Sequence, residues 1–172
     1  FYSRRIGLNA GREVPILAGG QLTGRAGRFT LGLLDIGTRE DAGLRATNFS
    51  VARIKRDVLR RSSIGAIFTG RSVTQRGIGD NQLAGVDGTF TFFDNVSFNT
   101  YWAKSSTDGL VDDDVSYRGI FDYSGDRYGL QLDRLVIGRN FNPEVGYLRR
   151  ADIEKSFAQV RFSPRPKSIK SV

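Results

Sequence analysis

The sequence predicts an all-β fold, an antiparallel up-and-down meander of about nine or ten strands that closes as a β-barrel or forms an arc of a larger one. Three observations carry this. Apolar and polar residues alternate with period two along most of the chain, while apolar residues at helical spacing are rare. The 21 Gly residues are spread throughout, which disfavours helix. The connections are alternately short and long, as in a meander that gathers tight turns at one end and loops at the other.

Taken in order, Pro15–Gly24 and Arg28–Gly37 read as strands joined through Ala26-Gly27. Two longer runs, 47–59 and 63–72, meet at the polar turn Arg60-Arg61-Ser62. The clearest hairpin spans 88–104. Phe90 and Phe92 alternate with Thr89 and Thr91, and Val96, Phe98, Thr100 and Trp102 alternate with Ser97, Asn99 and Tyr101. Its link is Asp94-Asn95, a pair that tolerates positive φ. In the next hairpin Val115, Tyr117, Gly119, Phe121 and Tyr123 alternate with Ser116, Arg118, Ile120 and Asp122; Ser124-Gly125-Asp126 turns into Tyr128, Leu130 and Leu132. A last strand, 155–163, carries Ala158, Val160 and Phe162 on one face and Gln159 and Arg161 on the other. Residues 1–163 read as one domain, and 164–172 as a linker or the approach to a further strand.

Composition excludes several chemistries. Without Cys there are no disulfides or thiol nucleophiles, and without His there are no Ser-His-Asp triads or His-ligated metals. The absence of Met implies a stretch of a longer or processed chain. No window approaches the roughly 18 consecutive apolar residues of a transmembrane helix. A transmembrane barrel carries no such window, because its strands alternate. The formal charge of +8, dominated by Arg, is compatible with nucleic acid, an anionic membrane surface or a polar barrel lumen.

The strands run about ten residues, longer than the usual five or six of soluble sheets and close to what a tilted membrane strand needs. The polar alternates Arg118, Asp122, Gln131 and Asp133 form a mixed-charge set suited to a hydrogen-bonded lumen, and they are the candidate ligand- or lumen-facing residues. Phe93, Trp102, Tyr123 and Tyr128 near strand ends are candidates for interfacial girdles, or else cross-strand core pairs. Outer-membrane lipid is then the expected partner and the bacterial outer membrane the expected location. The alternative is a soluble β-sandwich or small barrel binding polysaccharide or another extended ligand.

Several local patterns go beyond periodicity. Phe1-Tyr2-Ser3-Arg4-Arg5-Ile6-Gly7-Leu8, Val14-Pro15-Ile16 and the stretch from Leu22 to Gly32 follow one another near the N-terminus. Further along come Ser63-Ile64-Gly65-Ala66-Ile67-Phe68-Thr69, then Asn81…Gly85-Val86-Asp87, then Phe141-Asn142-Pro143-Glu144-Val145-Gly146-Tyr147…Arg149. Their order and spacing resemble the DUF5916 family over most of residues 1–162. The resemblance implies an early section of a predicted outer-membrane barrel region, which in that family follows a module like the family 9 carbohydrate-binding modules. It implies no catalytic residues, and it makes polysaccharide a partner only through the N-terminal module, which this sequence does not contain.

Other chemistry is weakly signalled. Asp112-Asp113-Asp114 is the densest carboxylate cluster but lacks the alternating ligand spacing of calcium loops, so no metal is expected. Glycosidase-type acids would have to come from separated strands, for example Asp87 with Asp122 or Asp133, and such residues are better read as salt-bridge partners. No cofactor is implied, and Gly77-Ile78-Gly79-Asp80 does not join a strand to a helix as phosphate loops do. The Arg-Arg pairs at 4–5, 60–61 and 149–150 form no concentrated stripe, so nucleic acid is not expected. Gly19-Gly20 within a strand marks a bulge, a bend or close packing.

Overall fold

A computed structural model describes residues 3, 5–9, 12–41 and 43–164. The opening motif therefore lies partly outside the described residues, as does the tail from 165. Eleven strands follow in order: β1 (Leu8–Asn9), β2 (Arg12–Glu13), β3 (Ile16–Ala26), β4 (Phe29–Thr38), β5 (Asn48–Leu59), β6 (Ser62–Arg71), β7 (Asn81–Phe92), β8 (Val96–Thr107), β9 (Val115–Ser124), β10 (Tyr128–Ile137) and β11 (Ile153–Phe162). The first two form a small hairpin of their own. The other nine form one antiparallel sheet in sequence order from β3 to β11, the meander the alternation predicts. The sheet is open: β3 and β11 are its edges and do not pair with each other. Among the described residues there is no helix, and so none long and apolar enough to cross a membrane.

Most strand limits fall within a residue or two of those read from the sequence, and the turn chemistry explains most of them; the 88–104 hairpin is longer than expected, its strands running from Asn81 and on to Thr107. Gly27 takes φ +57° in the link between β3 and β4, a conformation that costs glycine little. The β7–β8 link differs from expectation. Phe92 pairs with Val96, so the link has three residues, and the positive φ falls on Phe93 (+56°) rather than on Asp94 or Asn95. A three-residue link needs one left-handed residue to reverse the chain. Asp94 is instead held outward by Arg61 of the neighbouring turn at 2.8 Å. Gly19 serves close packing: a Cβ there would stand 2.9 Å from Ile36 Cγ1, just past a bulge between Ile16 and Ala18.

Tight turns at 27–28, 60–61, 93–95 and 125–127 gather at one end of the sheet, and longer connections at 39–47, 72–80, 108–114 and 138–152 at the other. The 138–152 connection folds back over one face. Val145 is fully buried against Phe49 and Val51, with Ile6 and Leu34 beside them. Phe141 joins Leu83 and Ala103 in a second small core, flanked by Ile67, Ile137 and Leu148. Below we call this the covered face; the opposite one is the open face. Both cores sit toward the loop end, so the rest of the sheet gains its order from the ladders rather than from a packed second layer.

Candidate functional site

The register assigns every strand residue to a face, because successive side chains point to opposite sides. On the open face the ladder sets Leu22 beside Leu33, Leu31 beside Ile54, Ala66 beside Val86, Val86 beside Trp102, Trp102 beside Tyr117, Phe121 beside Leu132, and Leu130 beside Val160. Most of the large side chains among them are exposed: Leu22 66%, Val86 54%, Trp102 45%, Val160 78%. No second sheet packs on them among the described residues. An apolar face crossing nine strands far exceeds the few hundred Å² that soluble monomers leave bare.

The two rims of that face differ. Toward the tight turns lie Phe29, Phe90, Phe92, Phe98, Tyr123, Tyr128 and Phe162, with Phe90 stacked on Phe92 and Phe98 at 6.3 and 6.4 Å and Tyr128 on Phe162 at 5.3 Å. Toward the loops come polar residues: Asp35 accepts from Ser50 and Asn48 at 2.7 and 3.1 Å, with Gln82, Ser106 and Lys104 farther along. Trp102 stands mid-strand between Val86 and Tyr117, so of the four expected girdle aromatics it is the one placed away from a strand end. Two arginines interrupt the face. Arg56 lies 5.2 Å over the Phe29 ring, and Arg134 is paired with Glu154 and bonded to Ser156.

The covered face is the polar one. Arg118, Asp122, Gln131 and Asp133, picked out by alternation, all lie on it. Asp122 stands opposite Gln131. Arg118 and Asp133 form a two-pronged pair, Nε–Oδ1 and Nη2–Oδ2 both 2.8 Å, and Lys155 Nζ approaches Asp133 at 3.5 Å. The planar fork of Arg matches a carboxylate in a way a lysine cannot. Asp87 is held by Arg53, and Asp57 by Arg25 at 3.1 Å. Asp87 and Asp133, two of the acids that glycosidase chemistry would need, are thus each engaged by an arginine.

Gly65 makes room for one of these pairs. A Cβ at that position would stand 2.7 Å from Arg53 Nη2 and 3.0 Å from Asp87 Oδ1. Gly65→Ala is therefore expected to push the pair apart at a cost of about 1 kcal/mol, since both charges are partly solvated. The check is a denaturation midpoint measured with and without Asp87→Asn. An equal cost in both backgrounds would show that the glycine has nothing to do with the pair.

The acidic run near the loop end is taken up by loop structure. Asp112 and Asp113 adopt positive φ, Asp113 accepts from the backbone N–H of Arg139 at 2.9 Å, and Asp114 faces Lys104 at 3.7 Å. No group of acids suited to a metal ion occurs among the described residues.

One cluster was not anticipated as a unit. Glu144, 3% exposed, lies 3.4 Å from Arg71 and accepts from the Gln75 N–H at 2.9 Å. Asn81, fully buried, donates to Thr107 Oγ1 at 2.6 Å and to the Asn142 carbonyl at 2.8 Å, and accepts from the Glu144 N–H at 3.3 Å. Ser3 donates to the Val145 carbonyl at 2.6 Å. The sequence signal was present, a lone acid inside the apolar motif Phe141–Tyr147, but its partners Asn81 and Gln75 lie 63 and 69 residues away. Comparison of the chain with protein-family models, with curated proteins and with solved structures finds no match.

Proposed function

We propose that this chain forms part of the wall of a bacterial outer-membrane β-barrel, without catalytic activity, whose open face meets lipid and whose covered face lines the interior. The observation that carries the reading is the pairing of a continuous exposed apolar face with a charge-paired opposite face in one unclosed sheet. Dimensions agree. Strands of 10–12 residues reach about 33–40 Å, which at the roughly 40° tilt of such barrels crosses an apolar band of about 25 Å. Interstrand ladders pair the backbones of neighbouring strands along the sheet, with a register shift at Asp57/Leu59, and such pairing suits hydrocarbon. The motif order supports the DUF5916 reading, and with it a role in envelope transport or as a membrane platform for a sugar-binding module.

A saccharide-binding reading of the aromatic open face is less well supported. Rings that stack on sugars work beside hydrogen-bonding groups, and Trp102 is flanked by Val86 and Tyr117. The deciding experiment refolds the 172-residue chain with and without detergent micelles, read by circular dichroism and by gel mobility before and after boiling. A β spectrum and a heat-modifiable band only in micelles are expected. A monodisperse β protein in plain buffer would end the membrane reading.

A further inference from the structure

At the loop end of the covered face, next to the buried Arg71–Glu144 pair, lies a partly enclosed cavity of about 340 Å³. Its lining is uneven in charge. Arg45, Arg71 and Arg76 all contribute, and among the described residues no carboxylate does. Arg45 and Arg76 form no ion pair with any described residue. The rest of the wall is mixed, with Leu44, Phe49 and Val73 beside Thr38, Thr47 and Thr74.

Arg71 makes this more than a basic patch. It is 8% exposed, its guanidinium lies 5.2 Å over the Phe49 ring, and Nη1 lies 3.4 Å from Glu144 Oε2. Its Nε is buried with no hydrogen-bond partner. A buried guanidinium with a single long contact is under-satisfied, and an idle buried donor is costly. The neighbouring hydroxyls of Thr38, Thr47 and Thr74 donate to backbone carbonyls at 3.1, 2.9 and 2.6 Å, and none of them accepts from Nε. An oxyanion is the acceptor that such a set of donors fits.

We propose that this cavity is a binding site for a small organic acid, whose carboxylate or phosphate bridges Arg71, Arg45 and Arg76 and whose short apolar body packs against Phe49, Leu44 and Val73. An oxyanion accepts from the fork of an arginine through two oxygens at once, and such charge-assisted bonds are the strong ones. The volume suits a molecule at the small end of ordinary ligands. The site is independent of which solvent the open face meets, because it lies on the opposite face, under the loops.

The test titrates sodium benzoate, inorganic phosphate and the neutral benzamide into the folded 172-residue chain, by calorimetry, in whichever medium gives the β spectrum. Benzoate should bind saturably, with phosphate and benzamide each at least about tenfold weaker. Arg45→Gln and Arg76→Gln, both at exposed positions, should each weaken benzoate about tenfold with the spectrum unchanged. Arg134→Gln, on the open face, should leave binding as it was. The proposal falls if benzoate does not bind, if benzamide binds as well, or if neither arginine variant matters. Phosphate binding as tightly as benzoate would remove the organic body from it.

Discussion

Val86→Arg is expected to prevent refolding into phospholipid vesicles, or to lower the urea midpoint there by the equivalent of about 2–4 kcal/mol. Val86 lies midway along β7 on the open face, 54% exposed, between Ala66 and Trp102. In a water-facing sheet a change at such a site would stay within roughly half a kcal/mol. In a lipid-facing wall it places a guanidinium near the middle of the hydrocarbon, a loss comparable to much of the roughly 5–15 kcal/mol that holds a domain together. Thr89→Arg, one turn of the pleat away on the covered face, is the matched control and should change little. Equal effects at the two positions would mean that lipid does not distinguish the faces, and the membrane reading would fail.

The second large effect is expected at Asn81. Asn81→Leu keeps the branched shape but strips three hydrogen bonds from a fully buried site, taking a donor from Thr107 Oγ1 and from the Asn142 carbonyl and leaving the Glu144 N–H only its 3.1 Å bond to that carbonyl. Three lost bonds at about 0.5–1.5 kcal/mol each give an expected total near 2–4 kcal/mol. The loss should be local before it is global, because the same bonds pin the 138–152 segment to the sheet. Amide exchange across 141–148 should quicken, and trypsin should reach Arg139, Arg149 and Arg150 sooner, while β8–β10 stay protected. Unchanged exchange in that segment would show that the loop is held by Phe141 and Val145 alone.

How legible all this was depends on range. Alternation is a local signal, and it located all nine strands of the sheet and put Arg118, Asp122, Gln131 and Asp133 on one side. The partners within that set are a matter of register: Arg118 stands opposite Leu135 and reaches diagonally to Asp133, which no single-strand pattern specifies. Turn chemistry was read correctly where glycine marked it, as at Gly27, and incorrectly where it did not, as at Phe93. The folding back of 138–152 was invisible for a different reason. Asn81 meets Glu144 across 63 positions, and Gln75 meets it across 69. A lone polar residue at a strand end looks the same in sequence whether it caps a ladder or anchors a distant loop.

The two free edges have a further consequence for copies of the chain that meet. In a nine-stranded meander the first and last strands point the same way, so β3 of one molecule laid beside β11 of another would form a parallel ladder. An antiparallel ladder, slightly stronger per residue, requires two copies to meet β11 to β11 or β3 to β3 with one rotated by half a turn in the plane of the sheet. In free solution that rotation is available, and the bare edges invite stacking into aggregates. In a bilayer that admits the chain in one sense only, it is not, because one copy would have to stand upside down. A shared direction of insertion would thus keep neighbouring molecules from zipping together antiparallel, leaving each edge to a strand that runs the other way.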